Sequence, residues 1–276
     1  MTEGTGLHVT EIGDGPPVAF LHGLFGQGKN WTQVAKALAA ADPSYRSILL
    51  DMPNHGRSQW SEAIDYPAMA DQVARALQPY GPVRLVGHSM GGKIAMKIAL
   101  RHPELVERLC VVDISPVDYH GLSSFGDYVT GMRSLDLSTL ADRAGAEEHL
   151  KEYAPDPVVR SFLLQNLRRV PTSEGGGWRW QPNLELIAAH LDQLGAWPEA
   201  DGDENPNYSG PTLWVAGAES DYITAEYGEP MRALFPRVAK VSIKNSGHWV
   251  HSAQPEVFVA TLRRFLDHDF EGTDRG

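Results

Sequence analysis

The chain lacks a second cysteine, so no internal disulfide can brace it. Cys110 is the one thiol in 276 residues, and its place in the apolar run Leu109-Cys110-Val111-Val112 marks it as buried and inert. A surplus of positive charge is missing as well. Lys and Arg number 24 against 35 Asp and Glu, and the resulting charge of −11 argues against nucleic acid as the main partner and against anionic membranes. No apolar run approaches the roughly 18 residues of a membrane span. Met1 to Gly6 has neither the basic n-region nor the apolar h-region of a secretory leader, which makes the cytoplasm the expected location.

What is present is an ordinary globular composition, 42% hydrophobic and 21% charged, on a chain long enough for one large α/β domain with an insertion. Its organising stretch is Val83-Arg84-Leu85-Val86 followed by Gly87-His88-Ser89-Met90-Gly91 and the alanine-rich Gly92-Lys93-Ile94-Ala95-Met96. An apolar run, a glycine-flanked serine and a helical pattern read as strand, sharp turn and helix, the arrangement that leaves a serine hydroxyl exposed on a strained corner. The positive end of that helix would face any anion forming there.

Upstream, the apolar run Val18 to Leu21 leads into His22-Gly23-Leu24-Phe25-Gly26, a glycine-rich loop at a strand's carboxyl end, where open α/β sheets bind ligands. Its amides, that of Leu24 foremost, can share an oxyanion with the N–H of Met90. Gly23 to Lys29 also fits a phosphate-binding G-x-x-x-x-G-K loop, but position 30 is Asn where that loop needs a hydroxyl on magnesium. That reading also leaves the serine turn unexplained.

Serine needs a base, and the base needs an acid. Of the histidines, His248 at the apex of Lys244-Asn245-Ser246-Gly247-His248 is the expected base, ahead of His251 at the start of the last helix and of His55, a loop histidine. For the acid, Asp113 ends the strand Arg108 to Val112, where it can serve as acid or merely cap the next turn; Asp221 stands in the later loop after Gly217.

Between Pro116 and Asn207 amphipathic segments replace buried strands, with helices expected around Leu135 to Glu152, Val158 to Arg169 and Leu184 to Leu194 and an acidic linker at Glu199 to Asn207. Residues 116–207 are read as a lid inserted into a core of 1–115 and 208–276. Trp178 and Trp180 either line a pocket beneath it or hold its own small core. Phe25, His88 and Trp249 are further expected pocket residues.

The order Ser, acid, His, the serine turn, the His-Gly loop and the late Gly-His together resemble the α/β-hydrolase fold family over almost the whole chain. More narrowly, His22 to Gly26, Asn54-His55-Gly56-Arg57-Ser58, Gly87 to Lys93 and Asp113-Ile114-Ser115-Pro116-Val117-Asp118-Tyr119-His120 resemble the YbfF and ABHD11 group of esterases. That resemblance implies a mostly parallel sheet with helices on both faces and a helical lid. It implies Asp113 as the acid and Ser220, in the slot where most relatives carry it, as a polar neighbour of His248. Asp221, one residue beyond, is the departure from the pattern. It implies a carboxylesterase for small to medium acyl esters acting through an acyl-enzyme, with no metal, no cofactor and a monomer or homodimer as its form. A thioesterase, a carbon–carbon bond hydrolase or lyase using Lys93 or Arg57 as a carboxylate anchor, and a small-molecule receptor are the alternatives on such a scaffold.

Overall fold

The computed structural model describes residues 4–119 and 123–267. His120, the last residue of the Asp113 motif, and the first three of the six amino-terminal residues read for a leader therefore lie outside the described residues. No helix among the described residues is long and apolar enough to cross a membrane.

Strands β1 (Val9–Ile12), β2 (Pro17–Leu21), β3 (Arg46–Leu50), β4 (Val83–His88) and β5 (Val106–Val112) precede the insertion, and β8 (Thr212–Gly217) and β9 (Val238–Ile243) follow it. They form one sheet in the order β1-β3-β2-β4-β5-β8-β9. Every neighbouring pair is parallel except β1 with β3. The central strands are near-continuous apolar runs because both their faces are covered. Leu85, Leu109 and Val111 point to the side of α2 (Tyr66–Leu77) and α3 (Met90–Arg101). Val86, Cys110 and Val112 point to the side of α1 (Thr32–Ala39) and the last helix, Pro255–Asp267.

The insertion contains α4 (Ser123–Ser134), α5 (Arg143–Leu150), α6 (Pro157–Leu164), the strands β6 (Leu167–Arg169) and β7 (Trp178–Trp180), α7 (Leu184–Ala189) and α8 (Leu191–Gly195). Two expectations are corrected here. The helix read over Leu135 to Glu152 is confined to α5, because Asp136 folds back on Ser138 in a side-chain turn and Asp142 caps α5 by accepting the Gly145 N–H at 3.0 Å. The helix read to Arg169 stops at Leu164, and β6 pairs antiparallel with β7 through a turn in which Gly175, Gly176 and Gly177 all have positive φ. The remaining helices are α9 (Gly228–Leu234), α10 (Val250–Ala253) and α11 (Pro255–Asp267).

Helix α3 ties down the insertion's return to the sheet. Lys93, Lys97 and Arg101 lie four residues apart and so share one face of the helix. Lys93 Nζ donates to the carbonyls of Gly195 at 2.6 Å, Ala196 at 2.7 Å and Val117 at 3.2 Å. Lys97 is fully buried and pairs with Glu204 at 2.8 Å, so one carboxylate of the acidic linker is an interior counter-ion. Arg101 bridges Asp71 and Asp201.

Glu204→Ala strands the Lys97 ammonium in the interior and is expected to cost about 3–5 kcal/mol, whereas Lys97→Met with Glu204→Leu should cost far less. Urea unfolding of both proteins checks this, and equal losses would show that the pair's charge is of no consequence there.

Candidate active site

The turn from β4 into α3 holds Ser89 at φ 52°, ψ −120°, a backbone conformation that side chains rarely adopt. Close packing enforces it. A methyl group on Gly91 would fall 2.5 Å from the Leu21 carbonyl oxygen, and one on Gly92 would fall 2.5 Å from Ile114. Glycine at both places lets α3 start directly against β2 and β5, which pushes the Ser89 side chain out of the corner.

Three segments converge on that hydroxyl. Ser89 Oγ lies 2.9 Å from His248 Nε2, and His248 Nδ1 lies 2.9 Å from Asp113 Oδ2. With the imidazole neutral, Ser89 donates to Nε2 and the Nδ1–H donates to the carboxylate. Asp113 is fully buried at the end of β5. Its second oxygen accepts the Gly217 N–H at 2.9 Å, and Ser220 donates to Oδ2 at 2.5 Å. The carboxylate beside His248 is thus Asp113, with Ser220 its polar neighbour, while Asp221 is exposed. The Tyr222 ring stacks on His248 with centroids 4.1 Å apart.

The Gly23 backbone packs on Ser89, since a methyl group there would stand 3.1 Å from Ser89 Cβ. Among the described residues neither the Leu24 nor the Met90 amide donates to a loop or turn carbonyl. Both adjoin Ser89, Leu24 in the wall of the chambers beside it and Met90 as the first residue of α3. His22 shapes the loop by donating from Nδ1 to Gly23 O at 2.8 Å and accepting the Met52 N–H at Nε2 at 2.9 Å. His55 donates from Nδ1 to Pro53 O at 2.9 Å, as a loop histidine should.

Two chambers flank the Ser89 hydroxyl. One has His88, Phe162, His248 and Trp249 in its wall. The other is walled by Met90, Ile114, Tyr119, Leu194 and Tyr222, with Lys93 its one charged residue. Leu24 and Phe125 belong to both. His88 and Trp249 thus both line a chamber that Ser89 also lines.

Phe25, Trp178 and Trp180 do not line these chambers. Phe25 is fully buried and stacks on Phe125. Trp178 donates to Leu140 O at 3.0 Å and Trp180 to Met132 O at 2.9 Å, which places both indoles in the insertion's own core. The sequence reading did not single out Phe125, Phe162, Tyr119 or Tyr222 as pocket residues. Each is an aromatic in an amphipathic or loop segment, and nothing local marks it as facing Ser89.

Beneath the site lies a bed of histidines held neutral. Burial drives the pKa of His55 and of His251 down to about 3, and His88, next to His248 and His251, also lies well below the usual histidine range. His251 stacks on Trp31 at 4.2 Å, and among the described residues its Nδ1 has no hydrogen-bond partner. Burial likewise pulls the Lys93 ammonium down to about 7.

An alpha/beta hydrolase fold family model matches residues 16–255. The sn-1-specific diacylglycerol lipase ABHD11 of Mus musculus is 38% identical over 257 residues, 91% of this chain and 81% of that one. Esterase YbfF of Escherichia coli strain K12 is 28% identical, covering 91% of this chain and 93% of that one. Among solved structures, a marine microorganism esterase superposes with a TM-score of 0.88 at 31% identity, over 94% of this chain and 98% of that one.

The buried histidines have a consequence for stability in acid. In the unfolded chain each titrates near 6.5, and in the folded one His55 and His251 titrate near 3. Between those values the unfolded chain holds more protons, so stability rises with pH across the window and is lost as the pH falls from about 6.5 toward about 3. His251→Phe keeps a ring against Trp31 and removes one such proton. Urea unfolding at a series of pH values is expected to show its slope against pH shallower by about 1 kcal/mol per unit between about pH 4 and pH 6. An unchanged slope would mean that His251 is charged in the fold.

Proposed function

The chain belongs to the α/β-hydrolase fold family, and from that membership we propose that it is a serine carboxylesterase that cleaves esters of small to medium acyl groups through Ser89, His248 and Asp113. The single observation that carries this reading is the continuous hydrogen-bonded line from Asp113 Oδ2 through His248 to Ser89 Oγ, at 2.9 Å for each step.

In this reading His248 Nε2 takes the Ser89 proton as Oγ attacks the ester carbonyl. The carbonyl oxygen turns anionic and is received by the amides of Leu24 and Met90, at the positive end of α3. Asp113 keeps the Nδ1 proton in place and stabilises the imidazolium. His248 then protonates the departing alcohol, leaving an acyl group on Ser89, and water activated by the same histidine releases it. The leaving oxygen must come within reach of Nε2, so the alcohol part lies in the chamber walled by His248 and Trp249, and the acyl part in the apolar chamber above Lys93. Residues 116–207 act as a cap that supplies Phe125 and Phe162 to the walls and keeps the site poor in water.

Hydrolysis of a carbon–carbon bond in a small carboxylate would need a free cation in the pocket. Lys93 is not free, because three backbone carbonyls already accept from its ammonium, and Arg57, the other candidate anchor, lines neither chamber.

Fluorophosphonate labelling of Ser89 and a panel of p-nitrophenyl esters of increasing acyl length test the reading directly. Ser89→Ala should abolish labelling and lower kcat by at least about 10³-fold with thermal unfolding unchanged. Retention of about a tenth of wild-type turnover would exclude the serine mechanism. Asp113→Asn, which fixes the wrong tautomer, should cost about 10⁴-fold in kcat, while Asp221→Asn costs little. The reverse pattern in the same assay would transfer the acid role to Asp221.

A further inference from the structure

Lys29, Arg57, Arg143 and Arg168 come from four distant stretches of the chain and lie within electrostatic reach of one another, with the Gly28 and Arg57 amides meeting on Asp51 and Arg168 reaching Gln27 beside them. Lys29 stands in the short 3-10 turn Gly28–Trp31, Arg57 in the loop after β3, Arg143 at the start of α5, and Arg168 in β6. Lys29 feels the positive charge of all three arginines, and Arg168 that of Arg143 and Arg57. Among the described residues none of the four forms an ion pair, although Arg84, Lys97, Arg101 and Arg133 each do. The acid whose field reaches them is Asp51, which is buried and accepts the N–H of Gly28 at 2.7 Å and the backbone N–H of Arg57 at 2.8 Å. In a chain of net charge −11, four cations drawn together around one buried carboxylate stand out. Their mutual repulsion works against the fold unless an anion offsets it.

Their position gives the convergence a use. Lys29 is followed by Asn30, which stands in the wall of the His248 chamber and donates to Gln165 Oε1 at 2.9 Å. Arg168 donates to Gln27 Oε1 at 3.3 Å, and Gln27 donates in turn to Asn166 Oδ1 at 2.7 Å. The cations therefore border the amide seam between the His-Gly loop and the insertion, on the side of Ser89 where the leaving alcohol lies. We propose that Lys29, Arg57, Arg143 and Arg168 form a recognition site for an anionic group, phosphate or carboxylate, carried on the alcohol side of the scissile ester. Guanidinium groups suit both anions because their planar N–H pairs match two oxygens at once. This assignment rests on the esterase reading for its orientation, since it is His248 that fixes which chamber receives the alcohol.

The test compares three butyrate esters that differ in the charge of the alcohol: monobutyrylglycerol, monobutyrylglycerol 3-phosphate and O-butyryl-4-hydroxybutanoate. Wild-type kcat/KM should favour at least one anionic ester over the neutral one by about tenfold or more, and raising NaCl from about 20 mM to about 500 mM should erase that preference. Whichever anionic ester leads identifies the group. In the Lys29→Gln/Arg57→Gln protein the anionic-to-neutral ratio should fall by about tenfold, chiefly through KM. A neutral ester preferred by the wild type, or an equal loss on all three esters in the variant, would make the cluster structural and overturn the assignment. If no ester is hydrolysed, the esterase reading fails, and the site is then judged by titration calorimetry. Glycerol 3-phosphate must still bind the wild-type protein more tightly than the variant, and equal or absent binding in both overturns the site.

Discussion

The close approach of α3 to the sheet is the constraint on which the rest of this structure depends. Gly91 and Gly92 admit the Leu21 carbonyl and the Ile114 side chain to distances that no Cβ could tolerate. The positive φ of Ser89 is the geometric result. That strain, of order 1–3 kcal/mol, is held because the core on both faces of β4 over-determines the turn. Once the corner is fixed, other positions follow. The Met90 amide opens α3 beside the serine, the Gly23 backbone packs on it, and His248 reaches it from the loop after β9.

A second constraint is electrostatic. Asp113 is fully buried yet surrounded by donors, the Gly217 amide, Ser220 and His248 Nδ1–H, so its oxygens are occupied without another charged side chain beside them. Below it, His22, His55, His88 and His251 are kept uncharged by burial, and no second imidazolium competes for the carboxylate. The neutrality of this bed leaves the Asp113–His248 hydrogen bond beside Ser89 without a competing cation from below.

Much of this was legible in the sequence, and the limits have physical causes. Strands such as Val83–His88 and Val106–Val112 read clearly because burial on two faces leaves an unbroken apolar run. Ser89 and His248 read clearly because each stands beyond the carboxyl end of a strand, and parallel strands bring those ends together; the same position left Asp113 open between acid and turn cap, because it does not show which side chain meets the carboxylate. The chamber walls did not read. An amphipathic helix announces that one face is apolar, and only the tertiary structure decides that Phe125 and Phe162 face Ser89 while Trp178 and Trp180 face each other's neighbourhood within the insertion. The strand Leu167–Arg169 has three residues, too few to show a period of two. Lys29, Arg57, Arg143 and Arg168 are each unremarkable in sequence, and their meaning arises from folding alone.

The helix that carries Ser89 also works as a seam. Lys93, Lys97 and Arg101 fasten the insertion's return strand by strand of charge and carbonyl along one face of α3, whereas the opposite margin is closed by neutral amides, Gln27 to Asn166 and Asn30 to Gln165. Charge-assisted bonds hold about twice as firmly as neutral ones. If residues 116–207 cap the site as proposed, a cover stitched on one side and buttoned on the other would have a built-in axis: the firm edge would be its hinge, and the soft edge, which is also the edge flanked by the four cations, its doorway. Selection of a substrate by charge and its admission to the serine would then take place along a single line of the molecule.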